Sequence, residues 1–227
     1  IFHLAAQPLV KSAYLNPVNT YQTNIIGTVN ILESLRSLNN KCNAVFITSD
    51  KCYKNLEKKI KYKETDILAG KDPYSASKYS AEIIIKSYFE TYFYSKKSKI
   101  RISSVRAGNV IGGGDWSENR IVPDCIRSWK NSKKVKIKNP NSTRPWLYVL
   151  EPLSGYLHLG SELNKKHKLN GESFNFGPKF NSNLNVKNLV IEMSKHWSYS
   201  KYETINNYEK FESNLLQLDC SKAKKIL

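Results

Sequence analysis

The chain has 227 residues, with 36 Lys+Arg against 19 Asp+Glu, a net charge of +17, 40% apolar residues and 11% aromatic residues. That length holds one or two domains with a sizeable core, and the composition excludes a disordered or collagen-like chain. No apolar run approaches the ~18 residues that cross a bilayer, and no secretory signal pattern opens the chain, so a cytoplasmic protein off the membrane is expected.

The charge does not read as a nucleic-acid footprint. Arginine occurs only at 36, 101, 106, 120, 127 and 144, which leaves thirty lysines spread along the chain. Nucleic-acid sites gather their charge on one helix or loop, often with arginine. Even the lysine-rich stretch from Lys51 to Lys63 carries none. Diffuse surface charge is expected, with no nucleic-acid partner. Cys42, Cys52, Cys125 and Cys220 have no C-x-x-C spacing and the four histidines are scattered, so no metal site is expected and the thiols are read as reduced.

In chain order, Ile1 to Ala5 reads as a short buried strand. Asn16-Pro17 starts a helix, with Asn as cap and Pro at the first position, and Val18, Tyr21, Ile25, Val29 and Leu32 follow at helical spacing. Asn43 to Thr48 is a second strand. A polar loop leads to Asp72-Pro73, another cap-plus-proline start, and a helix carrying Ala81, Ile84, Ile85, Tyr88 and Phe89 ends near Phe93. Ile100 to Val105 is a third strand. This alternation predicts βαβ units on a parallel sheet. After Arg106, glycines and prolines interrupt shorter elements. A helix over Leu150 to Leu163, a strand over Ser173 to Phe176 and a helix over Val186 to Trp197 are expected. The whole predicts an α/β protein, a partial doubly wound parallel sheet with a smaller interleaved lobe.

The chemistry centres on Tyr74-Ser75-Ala76-Ser77-Lys78, whose i,i+4 spacing puts a phenol and an ammonium on one helix face. A free tyrosine has a pKa near ~10, and a nearby cation lowers it towards a useful base. Thr48-Ser49-Asp50-Lys51 stands at the C-terminal end of a predicted parallel strand, the edge where open α/β sheets bind ligands. A Ser–Tyr–Lys set of this kind is a dehydrogenase arrangement. Lys51 is read either as catalytic or as a solvated loop charge, and Arg120 either as a phosphate ligand or as a surface residue. His3 is expected to be packed rather than catalytic. Trp116 lines a pocket or a core.

These motifs resemble the extended short-chain dehydrogenase/reductases that act on nucleotide sugars. The resemblance rests on His3-Leu4-Ala5-Ala6, Asn24 in Thr23–Thr28, Tyr74 with Lys78, Arg106–Gly112, Arg144–Val149 and Phe174–Gly177. The strings His3–Val10, Thr48–Tyr53, Asn109–Trp116, Val149–Tyr156 and Leu218–Ala223 are similar to the members that dehydrate CDP-glucose. The resemblance implies a Rossmann-type fold, with residues 1–108 the later part of an NAD-binding domain. Residues 109–227 would be mainly the substrate-binding lobe, with short returning segments. It implies NAD contacts at Leu4, Ala5, Ala6, Asn24, Thr48, Tyr74, Lys78 and Arg106. Substrate contacts fall at Ser49, Asn109, Arg120 and Arg144, and catalysis at Ser49, Asp50, Lys51, Tyr74 and Lys78. The implied reaction is a 4,6-dehydration of CDP-glucose, with another dehydration or a 4-epimerisation within the group as the alternative.

Lysine at 51, where related dTDP-glucose enzymes carry glutamate, leaves the C5 base open. Gly112-Gly113-Gly114 lacks the G-x-G-x-x-G pattern and is read as a flexible loop. The family's phosphate-binding glycines would precede Ile1. The chain therefore reads as a fragment cut at both ends, expected to be inactive and poorly soluble alone. Surplus apolar residues on the helices Val18–Leu38 and Pro73–Phe93 predict a homodimer or larger homo-oligomer of the full-length protein.

Overall fold

The computed structural model describes residues 1–178, 184–205 and 215–227. Strand β1 (Phe2–His3) leads to helix α1 (Val10–Leu15), a short helix the sequence reading lacked. Asn16 then caps helix α2 (Pro17–Tyr21), its side chain accepting from the Asn19 N–H, with Pro17 at the first position as expected. A π-helical turn (Gln22–Ile26) joins α2 to α3 (Gly27–Arg36). The extra residue of that turn rotates the helix face. Leu32 is therefore fully buried, whereas Val18, at matching helical spacing, is 64% exposed.

Strand β2 (Cys42–Ile47) ends in the turn Asp50–Cys52, and helix α4 (Pro73–Tyr88) runs into a second π-helical turn (Phe89–Phe93). Strands β3 (Ile100–Ala107) and β4 (Val110–Ile111) precede helix α5 (Ile121–Lys130). Strands β5 (Val135–Ile137), β6 (Thr143–Arg144) and β7 (Leu147–Tyr148) follow, then the long helix α6 (Leu150–Lys165). The remainder is β8 (Ser173–Phe176), β9 (Leu184–Asn185), α7 (Val186–Ser194), β10 (Tyr202–Thr204) and α8 (Ser221–Ile226).

The main sheet is parallel throughout, in the order β1-β2-β3-β8. Side chains alternate across it. Ala44, Phe46, Ile100 and Ile102 meet Leu32, Leu35 and Ile85 of α3 and α4 on one face. Val45, Val105 and Phe174 meet Tyr156, Leu159 and Leu163 of α6 on the other. Burial on both faces explains the nearly unbroken apolar strands, each large side chain contributing ~1.5–3 kcal/mol. Helix α6 sits close because Gly155 has no side chain: a Cβ there would lie 2.2 Å from the Phe176 ring.

A separate apolar cluster of Cys125, Trp129, Val135, Ile137 and Val190 joins α5, β5 and α7. Strand β10 pairs with β5, while β4 with β7 and β6 with β9 form two small ladders beside the strand ends. The lysine-rich segment is more than a polar loop. Tyr53 and Tyr62 stack at 5.2 Å and bury themselves with Cys52 and Leu216. All four cysteines are free.

Candidate active site

The strand ends and the start of α4 converge. Asp72 caps α4, accepting from the Tyr74 N–H at 2.9 Å and the Ser75 N–H at 3.0 Å, and Ser75 answers with a reciprocal bond. That capping box, with Pro73 at the first position, fixes where Tyr74 stands. Ser49 has extended backbone after β2 and caps the following turn, its Oγ accepting from the Lys51 N–H at 3.2 Å and donating to Asp50 Oδ1 at 3.1 Å. The same Ser49 hydroxyl also acts on the Tyr74 phenol, pulling it down against burial. Capping and a place in the site therefore coincide in one side chain.

Asp50 is buried, which pushes its carboxyl above the usual carboxylate range even though Lys51, the Ser49 hydroxyl and Arg144 all pull the other way. Burial favours the neutral acid. Gly108 makes the close packing possible, since a Cβ there would sit 2.6 Å from Pro145 Cγ and 3.4 Å from Asp50 Oδ2. Tyr74 is also buried, and its hydroxyl is pushed up to about 12 by burial, opposed by the Ser49 hydroxyl and the Arg120 charge. Ser49, Asp50, Tyr74, Arg120 and Arg144 thus come together around one point.

Lys78 lies one helical turn further along α4. Burial brings its ammonium down to about 8, while Cys52 and Glu82 act in the opposite direction. Spacing predicts that Lys78 lowers the Tyr74 pKa; burial, the largest influence on the phenol, raises it, with the Ser49 hydroxyl and the Arg120 charge pulling against it. At the first strand, burial and then the Lys78 charge hold His3 below the usual imidazole range. His3 is packed as expected, edge-on to Phe46 at 5.7 Å.

Three residues expected at the cofactor make hydrogen bonds within the protein. Asn24, in the π-turn, accepts from the Gln7 N–H at 2.8 Å and donates to the Gln7 carbonyl at 3.1 Å and to Ser77 Oγ at 2.9 Å. Both amide protons are engaged inside the chain. Arg106 is 3% exposed, and its five N–H donors meet Glu82, Tyr53 Oη, the Glu64 carbonyl and Ser173. Thr48 Oγ1 donates to Glu82 and lies 3.2 Å from the Val105 carbonyl oxygen. Motif position alone does not separate a residue that touches a ligand from one that supports its neighbour.

Leu4 and Ala5 are exposed just beyond β1, with Ala6 half-buried. Asn109 is half-buried, its carbonyl accepting from the Leu147 N–H at 2.9 Å. Arg120 Nε, 3.4 Å from Asp115 Oδ2, has an ion-pair contact but no aligned hydrogen bond. Arg144 is buried and donates to the Thr143 carbonyl at 2.9 Å. Trp116 is 60% exposed, which removes its core reading. Its carbonyl and that of Ser117 are held by Arg127. Among the described residues there is no cluster of metal ligands, and no helix is long and apolar enough to cross a membrane.

Sequence reasoning missed Glu82, although a lone acid four residues after Lys78 in an apolar stretch was a visible signal. It also missed Gln7, Ser77 and Asn175. The last is fully buried and accepts from Tyr53 Oη at 2.8 Å.

Residues 1–227 match the family model described as GDP-mannose 4,6 dehydratase. The CDP-glucose 4,6-dehydratase of Salmonella typhimurium is 42% identical over 98% of this chain, and the chain spans 63% of that relative's length. Among solved structures, a dTDP-glucose 4,6-dehydratase from Streptomyces venezuelae superposes with a TM-score of 0.83 at 18% identity, over 100% of this chain and 66% of that one. A UDP-glucose 4-epimerase from Thermotoga maritima gives 0.80 at 24% identity, over 99% and 69%. At such identities the structural likeness establishes the doubly wound α/β fold. With the match running from the first residue to the last, the chain belongs to the GDP-mannose 4,6-dehydratase family.

Proposed function

We propose that the full-length protein carrying this chain is a cytoplasmic, NAD-dependent lyase that converts CDP-glucose to CDP-4-keto-6-deoxyglucose. The observation that carries this reading is the Asp50 carboxyl, buried and biased towards its protonated form beside the Ser49–Tyr74 pair. An epimerase needs no acid at the 6-hydroxyl, whereas an eliminating enzyme does. The 42% identity to an enzyme of that name supports CDP-glucose over other nucleotide sugars.

The residues suit the nicotinamide half of a dinucleotide: a small apolar segment, Leu4 to Ala6, is open beyond β1, and the Lys78 ammonium faces the same strand. NAD, when bound, accepts hydride from C4 of the sugar and returns it to C6. Ser49 orients the 4-hydroxyl, and Tyr74 takes its proton as the phenolate, the form that the cationic nicotinamide ring and Lys78 would favour against burial. Lys78 holds the ribose. The C4 ketone acidifies the C5 proton, which leaves to a base, while Asp50 protonates the departing 6-hydroxyl so that water leaves. Asn109, Arg120 and Arg144 hold the nucleotide diphosphate. In this reading residues 1–108 serve the cofactor, and residues 109–227 serve mainly the substrate.

Val18, Ile26 and Ile83 are 64%, 51% and 48% exposed on neighbouring helices. Such an apolar face supports a homodimer of the full-length protein. Light scattering at micromolar concentration should give twice the monomer mass.

The function is tested by incubating the full-length protein with NAD and, separately, CDP-, dTDP- and UDP-glucose. The 4-keto-6-deoxy product should form fastest from the CDP sugar, and Tyr74→Phe should slow it ~100-fold or more. Recovery of the C4 epimer without loss of water would overturn the reading.

A further inference from the structure

The seam between α4 and the ends of β2, β3 and β8 holds an ion pair that none of the proposed chemical steps uses. Arg106 Nη2 lies 2.8 Å from Glu82 Oε2 and Nε lies 3.0 Å from Oε1, a two-pronged contact with both side chains under 5% exposed. Thr48 of the β2 end bonds one carboxylate oxygen, and Ser104 of β3 bonds the other at 3.0 Å. Arg106 continues to Tyr53 Oη at 2.8 Å and to Ser173 of β8 at 3.3 Å. The Glu82–Arg106 pair thus ties β2, β3 and β8 to the helix that carries Tyr74 and Lys78.

An isolated ion pair this deep costs more in desolvation than it returns, so a merely structural seam would be served as well by apolar side chains. Its position suggests another use. Glu82 stands four residues after Lys78, on the same face of α4. Thr48, which it binds, immediately precedes Ser49.

We propose that the Glu82–Arg106 pair is the positioning device of this site: it registers the Tyr74–Lys78 helix against the Ser49 strand end and keeps Lys78 in its ammonium form. The proposal rests on the dehydratase reading for its kinetic consequence, but not for its structural one. Burial alone would raise Glu82, yet the Arg106 charge and the bonds from Arg106, Thr48 and Ser104 hold it below the usual range, so it is a permanent anion. The groups that act on Lys78 are His3 from β1, Cys52 from the turn after β2 and Glu82 on its own helix. Burial drives the Cys52 thiol well above its ordinary value, and burial with the Lys78 charge holds His3 below its own. Both are neutral near pH 7, which leaves Glu82 as the anion among the three.

The test is a titration of the Lys78 ammonium nitrogen by NMR in 15N-lysine-labelled full-length protein, without substrate, assigned with Lys78→Arg. The midpoint should fall by roughly one pH unit or more in Glu82→Gln and should be restored in Glu82→Asp. If Glu82→Gln does not fold, Arg106→Met, which leaves the Glu82 charge uncompensated on the face it shares with Lys78, should instead raise the midpoint. In each variant the alkaline limb of kcat should move in the same direction as the midpoint, with KM nearly unchanged. An unmoved Lys78 midpoint in a folded variant would overturn the proposal. Failure of the wild-type protein to process CDP-glucose, with the midpoint still moving, would instead count against the function alone.

Discussion

Asp50, in the turn after β2, and Glu82, in the seam between α4 and β3, are both buried, at 6% and 4% exposure. Their protons are nevertheless governed in opposite directions. At Asp50 burial prevails over Lys51, Ser49 and Arg144, and the carboxyl is displaced towards its neutral form. At Glu82 the same penalty is outweighed by a two-pronged guanidinium and two hydroxyl donors. Equal burial therefore moves one carboxyl towards its neutral form and leaves the other a fixed charge. Pairs of titratable groups driven apart in this way mark acid–base assignments. The difference lies in the count of aligned donors, not in depth.

The comparison is most easily broken from the Glu82 side. Arg106→Met strips the counter-charge and leaves a buried carboxylate, so urea unfolding should show a loss of ~3–5 kcal/mol. A loss below ~1 kcal/mol would mean that Glu82 takes up a proton freely, and the contrast with Asp50 would vanish.

Lys78 sharpens the same contrast from the cationic side. Its folded value, about 8, lies below its ordinary 10.5, so the folded state binds the proton less tightly than the unfolded one. The penalty is fully present below pH 8 and fades as pH rises through 10.5. Lys78→Met should therefore stabilise the protein at pH 7 by up to ~3 kcal/mol while abolishing turnover, and the gain should disappear above pH 10.5. Comparing unfolding curves at pH 7 and pH 10.5 checks the sign.

The smallest effect comes from the cap that sets the helix start. Asp72→Ala removes the acceptor for two backbone N–H groups and should cost ~1 kcal/mol. Because Asp72 also raises the Tyr74 hydroxyl, the phenol should titrate slightly lower in ultraviolet difference spectra.

Much of this arrangement was legible before the structure. The Asn16-Pro17 and Asp72-Pro73 starts announce their helices because capping chemistry is local. Ser49, Asp50 and Tyr74 follow from a strand end and a helix start, both readable over a few residues. The Glu82–Arg106 pair was not legible, because its members lie 24 residues apart and meet only once α4 packs on β3. The same distance effect hid the cluster of Tyr53, Tyr62 and Leu216, whose apolar positions are scattered through a lysine-rich stretch. The π-turn at Gln22–Ile26 shifts the phase of the apolar stripe, so spacing alone placed Val18 and Leu32 on one face while the fold separates them.

In the proposed reaction Asp50 delivers the proton that lets the 6-hydroxyl leave, after C4 has already been oxidised beside Ser49 and Tyr74. Asp50→Asn keeps the shape of the turn and removes the acid. In a single turnover of the full-length protein with NAD and CDP-glucose, absorbance at the NADH band should rise and then persist, because oxidation proceeds while elimination stalls. Wild-type protein under the same conditions should show at most a brief rise. Unchanged elimination in Asp50→Asn, with no accumulated NADH, would contradict the account.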